Sequence, residues 1–126
     1  MSLCTWSDGM TKKISYALLA VLLLAVLLVL VVRPRWYLNL TKRVDVSPAV
    51  GAALVEKYEC RKCHVVGGQG ALYAPNLDKS ITYLTDDALT MWLANPRSMR
   101  PNTPMPNLHL SDSEIQAIIA YLKSAP

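Results

Sequence analysis

The residues with the clearest chemical potential form the run Cys60-Arg61-Lys62-Cys63-His64. Two cysteines separated by two residues, with a histidine directly after the second, are typical of covalent attachment of a c-type haem. Thiols three positions apart in a turn or helix can each add to a porphyrin vinyl group, and the adjacent imidazole then lies close enough to bind the iron. The motif therefore predicts one covalently bound haem c, with His64 as the first axial ligand.

Other uses of these thiols fit the sequence less well. A structural zinc site needs a second pair of ligands, and the only other histidine is His109. A thioredoxin-like dithiol needs a strand–helix–strand context, but no alternating pattern surrounds residues 45–75. A plain disulfide leaves His64 unexplained. The third cysteine, Cys4, precedes a long apolar run and so is not a lipoprotein-type acceptor; we interpret it as an idle reduced thiol.

A second axial ligand is expected if the haem only passes electrons, and the candidates are Met91, Met99, Met105 and His109. Met105 is favoured because prolines at 101, 104 and 106 stiffen its segment before any ligand binds. A stiff segment can hold a soft thioether against iron at little entropic cost. Met91, in a predicted helix, is interpreted as core packing, while Met99 and His109 stay open as alternatives.

A membrane anchor is predicted from the uncharged run of nineteen residues between Ile14 and Val32. As a helix it is about 28 Å long, which matches the hydrocarbon core of a bilayer. A cleaved signal peptide is the alternative, but its apolar region is usually about 7–15 residues and ends at a small-residue site. Here the run stops at Arg33-Pro34-Arg35-Trp36-Tyr37, so we favour a retained anchor with Trp36 and Tyr37 at the membrane interface.

Length and charge restrict the rest of the chain. Of 126 residues, 52% are hydrophobic and the net charge is +4, all of it within residues 1–46. A basic excess confined to the flanks of an apolar run is typical of contact with lipid headgroups, and it argues against nucleic-acid binding. The remaining 80 residues, 47–126, are neutral overall and bury only a marginal core unless a cofactor contributes. A large self-sufficient enzyme is disfavoured.

The elements that must position the motif are predicted to be helical. Ser47-Pro48 reads as the N-cap and first residue of a helix that runs to Tyr58 and delivers the chain to Cys60. A glycine-rich loop follows, with backbone expected to wrap closely around the flat cofactor. Thr85 caps a helix that ends at Asn95-Pro96, and Ser111 with Glu114 forms a capping box for the last helix. Its apolar positions have helical spacing: Ile115, Ile118, Ile119 and Leu122.

The last 80 residues resemble a class I c-type cytochrome. The resemblance lies in the first helix, the Cys-x-x-Cys-His run, a Pro-x-Leu step, a Met-Pro strap and a terminal helix ending in Tyr-Leu-Lys. It implies an all-α fold in which the helices containing Gly51 and Tyr121 cross. It also implies thioethers at Cys60 and Cys63, iron ligation by His64 and Met105, and a bond from the His64 ring to the carbonyl of Pro75.

Two narrower similarities concern larger respiratory assemblies. Residues 68–77 resemble the haem loop of the membrane-anchored cytochrome c subunit of bacterial nitric oxide reductase. The stretch from Trp92 to Pro106 is similar to the cytochrome c domain fused to some haem–copper oxidase subunits. Fold similarity does not choose between them.

The expected organisation has four segments: a cytoplasmic terminus at 1–13, a transmembrane helix at 14–32, a juxtamembrane linker at 33–46 and the haem domain at 47–126. The positive-inside rule alone would leave the haem domain in the cytoplasm. In the cytochrome family, however, attachment to this motif takes place on the exported side of bacteria. We therefore expect a single-pass protein of the bacterial inner (plasma) membrane, with its haem domain on the periplasmic or external face.

The predicted function is single-electron transfer, without catalysis, to or from a membrane redox complex. An oxidase, a reductase, a quinol-oxidising complex or a reaction centre would each fit as the partner. An independent tethered shuttle is the alternative within this class. A haem enzyme or gas sensor with an open distal site, and a purely structural haem, are the alternatives from other classes.

Overall fold

A computed structural model describes the backbone of residues 5–124 and the side chains of residues 9–124. The chain forms two units, Met1–Pro34 and Arg35–Pro126. The first contains helix α1. Within residues 35–124, the described part of the second unit, there are six further helices, one 3-10 turn at Cys60–Lys62 and two very short strands. In chain order its regular elements are α2 (Arg35–Thr41), α3 (Pro48–Lys57), β1 (Val65–Val66), β2 (Gln69–Gly70), α4 (Leu77–Ser80), α5 (Asp86–Ala94), α6 (Pro96–Met99) and α7 (Asp112–Ser124).

Helix α1 (Thr5–Val32) begins well before the predicted span at 14–32. Its part from Gly9 to Val32, 24 residues, is long and apolar enough to cross a bilayer, and none of its most apolar window is buried within the protein. Lys12 and Lys13 do not interrupt the helix, since lysine is a good helix former. The helix ends at Val32, because the next residue, Arg33, has a left-handed φ of +47° and Pro34 follows it. Cys4 lies outside the described residues.

The segment predicted as a linker, 33–46, is largely structured. Residues 35–41 form α2, and its Leu38 is buried within the second unit. Two residues at the start of α7 hold this segment. Asp112 pairs with Arg35 and Asn39, and Oγ of the preceding residue, Ser111, donates to the Lys42 carbonyl oxygen at 2.6 Å. The unit that contains the motif therefore begins at residue 35 rather than at 47, because an apolar side chain and several polar groups of the juxtamembrane segment find partners on α7.

The crossing of α3 and α7 organises the core, as the cytochrome resemblance implied. A Cβ atom at Gly51 would lie 2.0 Å from the carbonyl oxygen of Ala117 and 2.6 Å from Cβ of Tyr121, so only glycine permits this approach. Around the crossing, α7 buries the four apolar residues predicted from its periodicity, and they pack with buried residues of α3, α5 and the loops. The buried apolar cluster comprises Leu54, Val55, Val66, Leu89, Leu110, Ile115, Ala117, Ile118, Ile119 and Leu122.

Three helix N-termini were predicted from capping residues, and each has the expected capping hydrogen bond. The capping residues are Ser47, Thr85 and Ser111. Ser47 Oγ accepts from the Val50 amide, and Thr85 Oγ1 accepts from the Ala88 amide. Ser111 Oγ accepts from the Glu114 amide at 3.2 Å, while Glu114 Oε2 accepts from the Ser111 amide at 3.0 Å. This reciprocal pair is the predicted capping box. The two-residue antiparallel ladder between β1 and β2 was not expected from the sequence; it closes around the turn at Gly67-Gly68.

Glu114 is a buried carboxylate, 1% exposed, within the α3–α7 crossing. Its Oε1 accepts from the Tyr58 hydroxyl at 2.8 Å, and the ammonium groups of Lys57 and Lys42 lie 3.7 and 4.0 Å from its oxygens. Lys42 also donates to the His109 carbonyl oxygen at 2.9 Å. A buried charge is tolerated only when it is paired and hydrogen-bonded. The cluster thus joins the juxtamembrane segment, α3, α7 and the strap before α7.

We predict that Gly51→Ala destabilises the second unit. The added methyl group meets backbone of α7, which cannot rotate away, so the helices must separate. We expect a loss of about 1–3 kcal/mol in the free energy of unfolding, larger than the gain of roughly 1 kcal/mol in helix propensity. Denaturant titration of the full chain in mild detergent measures it. Gly9→Ala is the matched control, since no atom lies within 4 Å of a Cβ there; equal stability of the two variants would contradict the prediction.

We predict a pH dependence from Tyr58. Burial, followed by the hydrogen bond to Glu114 and its charge, raises the pKa of the Tyr58 phenol above its ordinary value. Below about pH 10 the hydroxyl is protonated in both states, whereas above it the unfolded chain loses this proton first, so unfolding becomes favoured. The wild type should exceed Tyr58→Phe in unfolding free energy by about 1–3 kcal/mol at pH 7, and this advantage should shrink above pH 10.

Urea titrations of both proteins between pH 7 and 11 test this pH dependence. Tyr73→Phe serves as the control, because Tyr73 is 88% exposed and should give no such trend. A constant difference between wild type and Tyr58→Phe across the range would rule out the proposed titration.

Candidate functional site

The Cys-x-x-Cys-His run directly follows α3. Glu59 has a left-handed φ of +55°, which turns the chain out of the helix and into the 3-10 turn at Cys60–Lys62. Within the turn, the amides of Cys63 and His64 donate to the Cys60 carbonyl oxygen at 3.2 and 2.9 Å. Both thiols are free. Because these bonds fold five residues into one compact turn, they bring the two cysteines and the histidine together as the motif predicts.

The two thiols lie in different environments. Cys60 is half-buried and packs against the apolar cluster, whereas Cys63 is exposed. Burial raises the pKa of the Cys60 thiol, and the nearby Cys63 raises it further, although a backbone hydrogen bond acts in the opposite direction. A thiol with a raised pKa is mostly protonated at neutral pH and is a weak nucleophile and metal ligand. Cys60 is therefore poorly suited to capturing a free metal ion.

The ring of His64 is oriented by backbone. Its Nδ1 lies 2.7 Å from the Pro75 carbonyl oxygen, the contact that the resemblance implied. A carbonyl oxygen only accepts, so Nδ1 must carry the proton, and the lone pair of Nε2 is left available for a metal. Two backbone hydrogen bonds attach the loop that supplies Pro75 to the motif. The Ala71 amide donates to the Arg61 carbonyl oxygen, and the Ala74 amide donates to the Cys63 carbonyl oxygen. The imidazole is thus set in one orientation and tautomer.

The glycine-rich loop approaches the motif at a distance that excludes a side chain. Gly70 has a φ of +123°, and a Cβ atom there would lie 2.1 Å from the His64 carbonyl oxygen. This approach is to the backbone of the motif, where the β1–β2 ladder returns toward it. The approach of the loop to a flat cofactor stays a prediction. Beyond Gly70 the loop leaves Leu72 and Tyr73 on the surface, 77% and 88% exposed. The loop beside the motif therefore presents two large side chains, one aliphatic and one aromatic, to solvent.

Two supporting residues were missed in the sequence. Asp78 accepts from the amides of Gly67 and Gly68 at 2.7 and 2.8 Å, which fixes the turn between the strands. Arg61 pairs with Glu56 and donates to the Val66 carbonyl oxygen and the Tyr121 hydroxyl. The adjacent amides of a glycine–glycine turn need a hydrogen-bond acceptor, and this need could have indicated Asp78. No local pattern in the sequence indicated that Tyr121 would be the partner of Arg61.

The four candidate second ligands differ in position. Met105 is half-buried on a strap without regular secondary structure, and its amide donates to Thr103 Oγ1 at 3.3 Å. Met91 and Met99 are 56% and 40% exposed. Met91 was predicted to pack in the core, and this prediction is wrong, because its side chain lies on the exposed face of α5. His109 has a left-handed φ of +49°, and its carbonyl oxygen binds Lys42.

The side chains present fit a haem c better than a bare metal ion. Among the described residues, no group of three His, Cys, Asp or Glu side chains is arranged to hold a metal ion. The site instead has two free thiols and one imidazole with Nε2 available. Cys60 and Cys63 would hold the porphyrin, with His64 and Met105 as the predicted iron ligands; these assignments remain predictions.

Comparison with known proteins agrees with this chemistry. No curated protein matches the chain. The family model for cytochrome c matches residues 48–126, which spans α3, the motif, the strap and α7. Proteins of this family are electron-transfer haem proteins, which is also what the turn at Cys60–His64 and the oriented imidazole are suited to. The chain belongs to the cytochrome c family.

Proposed function

We propose that this protein is a membrane-anchored monohaem c-type cytochrome that carries single electrons as a subunit of a respiratory or photosynthetic complex. The observation that carries the proposal is the 2.7 Å contact between His64 Nδ1 and the Pro75 carbonyl oxygen. It leaves Nε2 as a strong, oriented ligand, because a hydrogen-bonded imidazole is a more basic one. Haem c supplies the one-electron chemistry, and the residues of this chain hold it and set its properties.

Met105 is proposed as the second ligand. A thioether favours the reduced iron and so raises the reduction potential, and two protein ligands leave no position open for a substrate. The proline-rich strap supports this assignment, since Pro101, Pro104 and Pro106 restrict the backbone around Met105. On this proposal the protein is an electron carrier and not an enzyme or a gas sensor.

Helix α1 is proposed to anchor the protein in the bacterial inner (plasma) membrane, with the cytochrome domain on the periplasmic or external face. Its length and apolar composition support a single span. The side follows from where haem is attached to this motif in the family. Residues 1–13 would then be cytoplasmic.

The proposed partner is another membrane-bound redox protein. Only Arg33 and Pro34 separate α1 from α2, whereas the sequence predicted a fourteen-residue linker able to reach about 46–50 Å. A short connection limits how far the domain can swing, and this favours fixed docking within a complex over an independent shuttle. Subunits of the nitric oxide reductase type, or haem–copper oxidases, are the narrower candidates on sequence resemblance.

We predict that Met105→Ala opens the iron. The oxidised protein should lose its weak methionine-to-iron charge-transfer band, the reduced protein should bind carbon monoxide rapidly, and the potential should fall by a sizeable part of the roughly 0.8 V range that axial ligands control. Optical spectroscopy and redox titration measure these changes.

Met91→Ala, Met99→Ala and His109→Ala are the matched controls for Met105→Ala. Each should keep the charge-transfer band and resist carbon monoxide. Loss of the band in one of these variants, with Met105→Ala unchanged, would reassign the second ligand. Rapid carbon monoxide binding by the wild type would replace electron transfer with an open-site function.

We predict that the full chain, solubilised in mild detergent, migrates with a larger haem- or metal-containing redox complex. Purification through a tag on the chain, followed by size analysis and identification of the accompanying proteins, measures this. His64→Ala should abolish electron flow through that complex. A solitary small haem protein would favour the tethered shuttle, and normal turnover after loss of His64 would favour a structural haem.

A further inference from the structure

We infer that the outer face of α2 is a docking surface for the anionic surface of the bilayer, which fixes the orientation of the cytochrome domain at the membrane. The inference rests on the proposed function only in that α1 is taken to anchor the chain. It assigns to α2 a role beyond that of a linker.

Helix α2 has two faces with opposite properties. Leu38 is buried, and Asn39 accepts from the Asp112 amide at 2.8 Å, so this face belongs to the cytochrome domain. Trp36 and Leu40, four residues apart and therefore on one side of the helix, are 61% and 73% exposed. The Trp36 ring has an edge contact with the ring of the adjacent Tyr37. Large apolar side chains that stay mostly exposed, on a helix held by its other face, are typical of an interaction surface.

Basic charge accompanies the exposed apolar face. Arg43 lines the same shallow groove as Trp36 and Leu40, together with Asn39, Asp112 and Ser113 of the domain. The one acidic group in this groove, Asp112, is already paired with Arg35. Arginine beside an exposed tryptophan and leucine matches a lipid headgroup region, where cations meet phosphate and amphipathic rings settle at the boundary.

The sequence places α2 close to the end of the proposed anchor. Arg35, the first residue of α2, follows the last residue of α1, Val32, by three positions. Two connecting residues reach only about 10 Å when extended, so α2 cannot leave the vicinity of the headgroups. A bilayer is therefore the occupant that continuity with the anchor favours, and the basic excess of residues 33–43 favours anionic lipid.

The domain contacts turn this docking into an orientation. Ser111 Oγ donates to the Lys42 carbonyl oxygen at 2.6 Å, the Val44 amide donates to Ser113 Oγ at 3.1 Å, and Lys42 lies beside the buried Glu114. The segment is thus joined to α7 on both sides of Arg43. With α2 bound to lipid, α7 and the α3 helix that crosses it would keep a constant orientation relative to the membrane plane.

Fluorescence quenching on the full haem-loaded chain tests this proposal. A Cys4→Ser background leaves one reactive thiol in Leu40→Cys, which is labelled with an environment-sensitive dye and reconstituted in vesicles of zwitterionic lipid, with or without phosphatidylglycerol. The matched control is Lys79→Cys, an exposed position on α4. Quenching is measured with doxyl-labelled lipid and with aqueous iodide.

We expect doxyl lipid to quench the label at 40 at least threefold more than the label at 79, and iodide to show the reverse order. Phosphatidylglycerol should increase the lipid quenching at 40, and Arg43→Gln should remove that increase. A label at 40 that iodide reaches as readily as the label at 79 would overturn the proposal. Shielding from both quenchers would also overturn it, because a second protein surface would then cover α2.

Failure of the docking proposal is distinguishable from failure of the proposed function. Resistance of the labelled chain to extraction by alkaline carbonate reports on α1 alone. A chain that stays in the membrane while position 40 is water-exposed keeps its anchor but lacks a docked α2. Release by carbonate would instead refute the anchor itself.

Discussion

The candidate site depends on the hydrogen bond between His64 Nδ1 and the Pro75 carbonyl oxygen. One ring nitrogen must be held by backbone so that the other presents its lone pair in a fixed direction. Two segments eleven residues apart have to be brought together and kept at hydrogen-bonding distance. The amides of Ala71 and Ala74, bonded to carbonyls of the motif, do this locally. A loop that was free to move would give an imidazole of variable orientation and a poorly defined ligand field.

Glycine is the reason that this loop can lie so close. At Gly70 the backbone lies so close to the His64 carbonyl group that a methyl group would collide with it. The Asp78 carboxylate accepts hydrogen bonds from the two amides of the preceding turn. At Gly51 the absence of a side chain likewise lets α3 pack directly against α7. These approaches belong to different parts of the domain, but each brings one backbone against another without a side chain between them. Close packing of backbone against backbone therefore helps to hold the site in place.

The buried Glu114 connects the core to the membrane-proximal segment. Its carboxylate receives the Tyr58 hydroxyl and the Ser111 amide, and it attracts Lys42 from outside the region matched by the family model. A carboxylate in this position would be costly without those partners. The juxtamembrane residues thus contribute to the domain that they deliver to the membrane. These contacts make the segment around Lys42 part of the same compact unit as the haem motif.

Local patterns in the sequence were sufficient for the haem motif, the helix starts at Ser47, Thr85 and Ser111, and the apolar span, because each depends on residues within a few positions of one another. The Pro75 contact and the Gly51 crossing were accessible only through resemblance to a family. The position of α2 on α7, the partners of Glu114 and Arg61, and the exposure of Met91 were decided by tertiary structure. These depend on which distant surfaces meet, and neither hydrophobic period nor capping chemistry encodes that choice. A short polar-flanked segment such as 33–46 reads as a linker until one buried leucine and a few long-range hydrogen bonds show what it packs against.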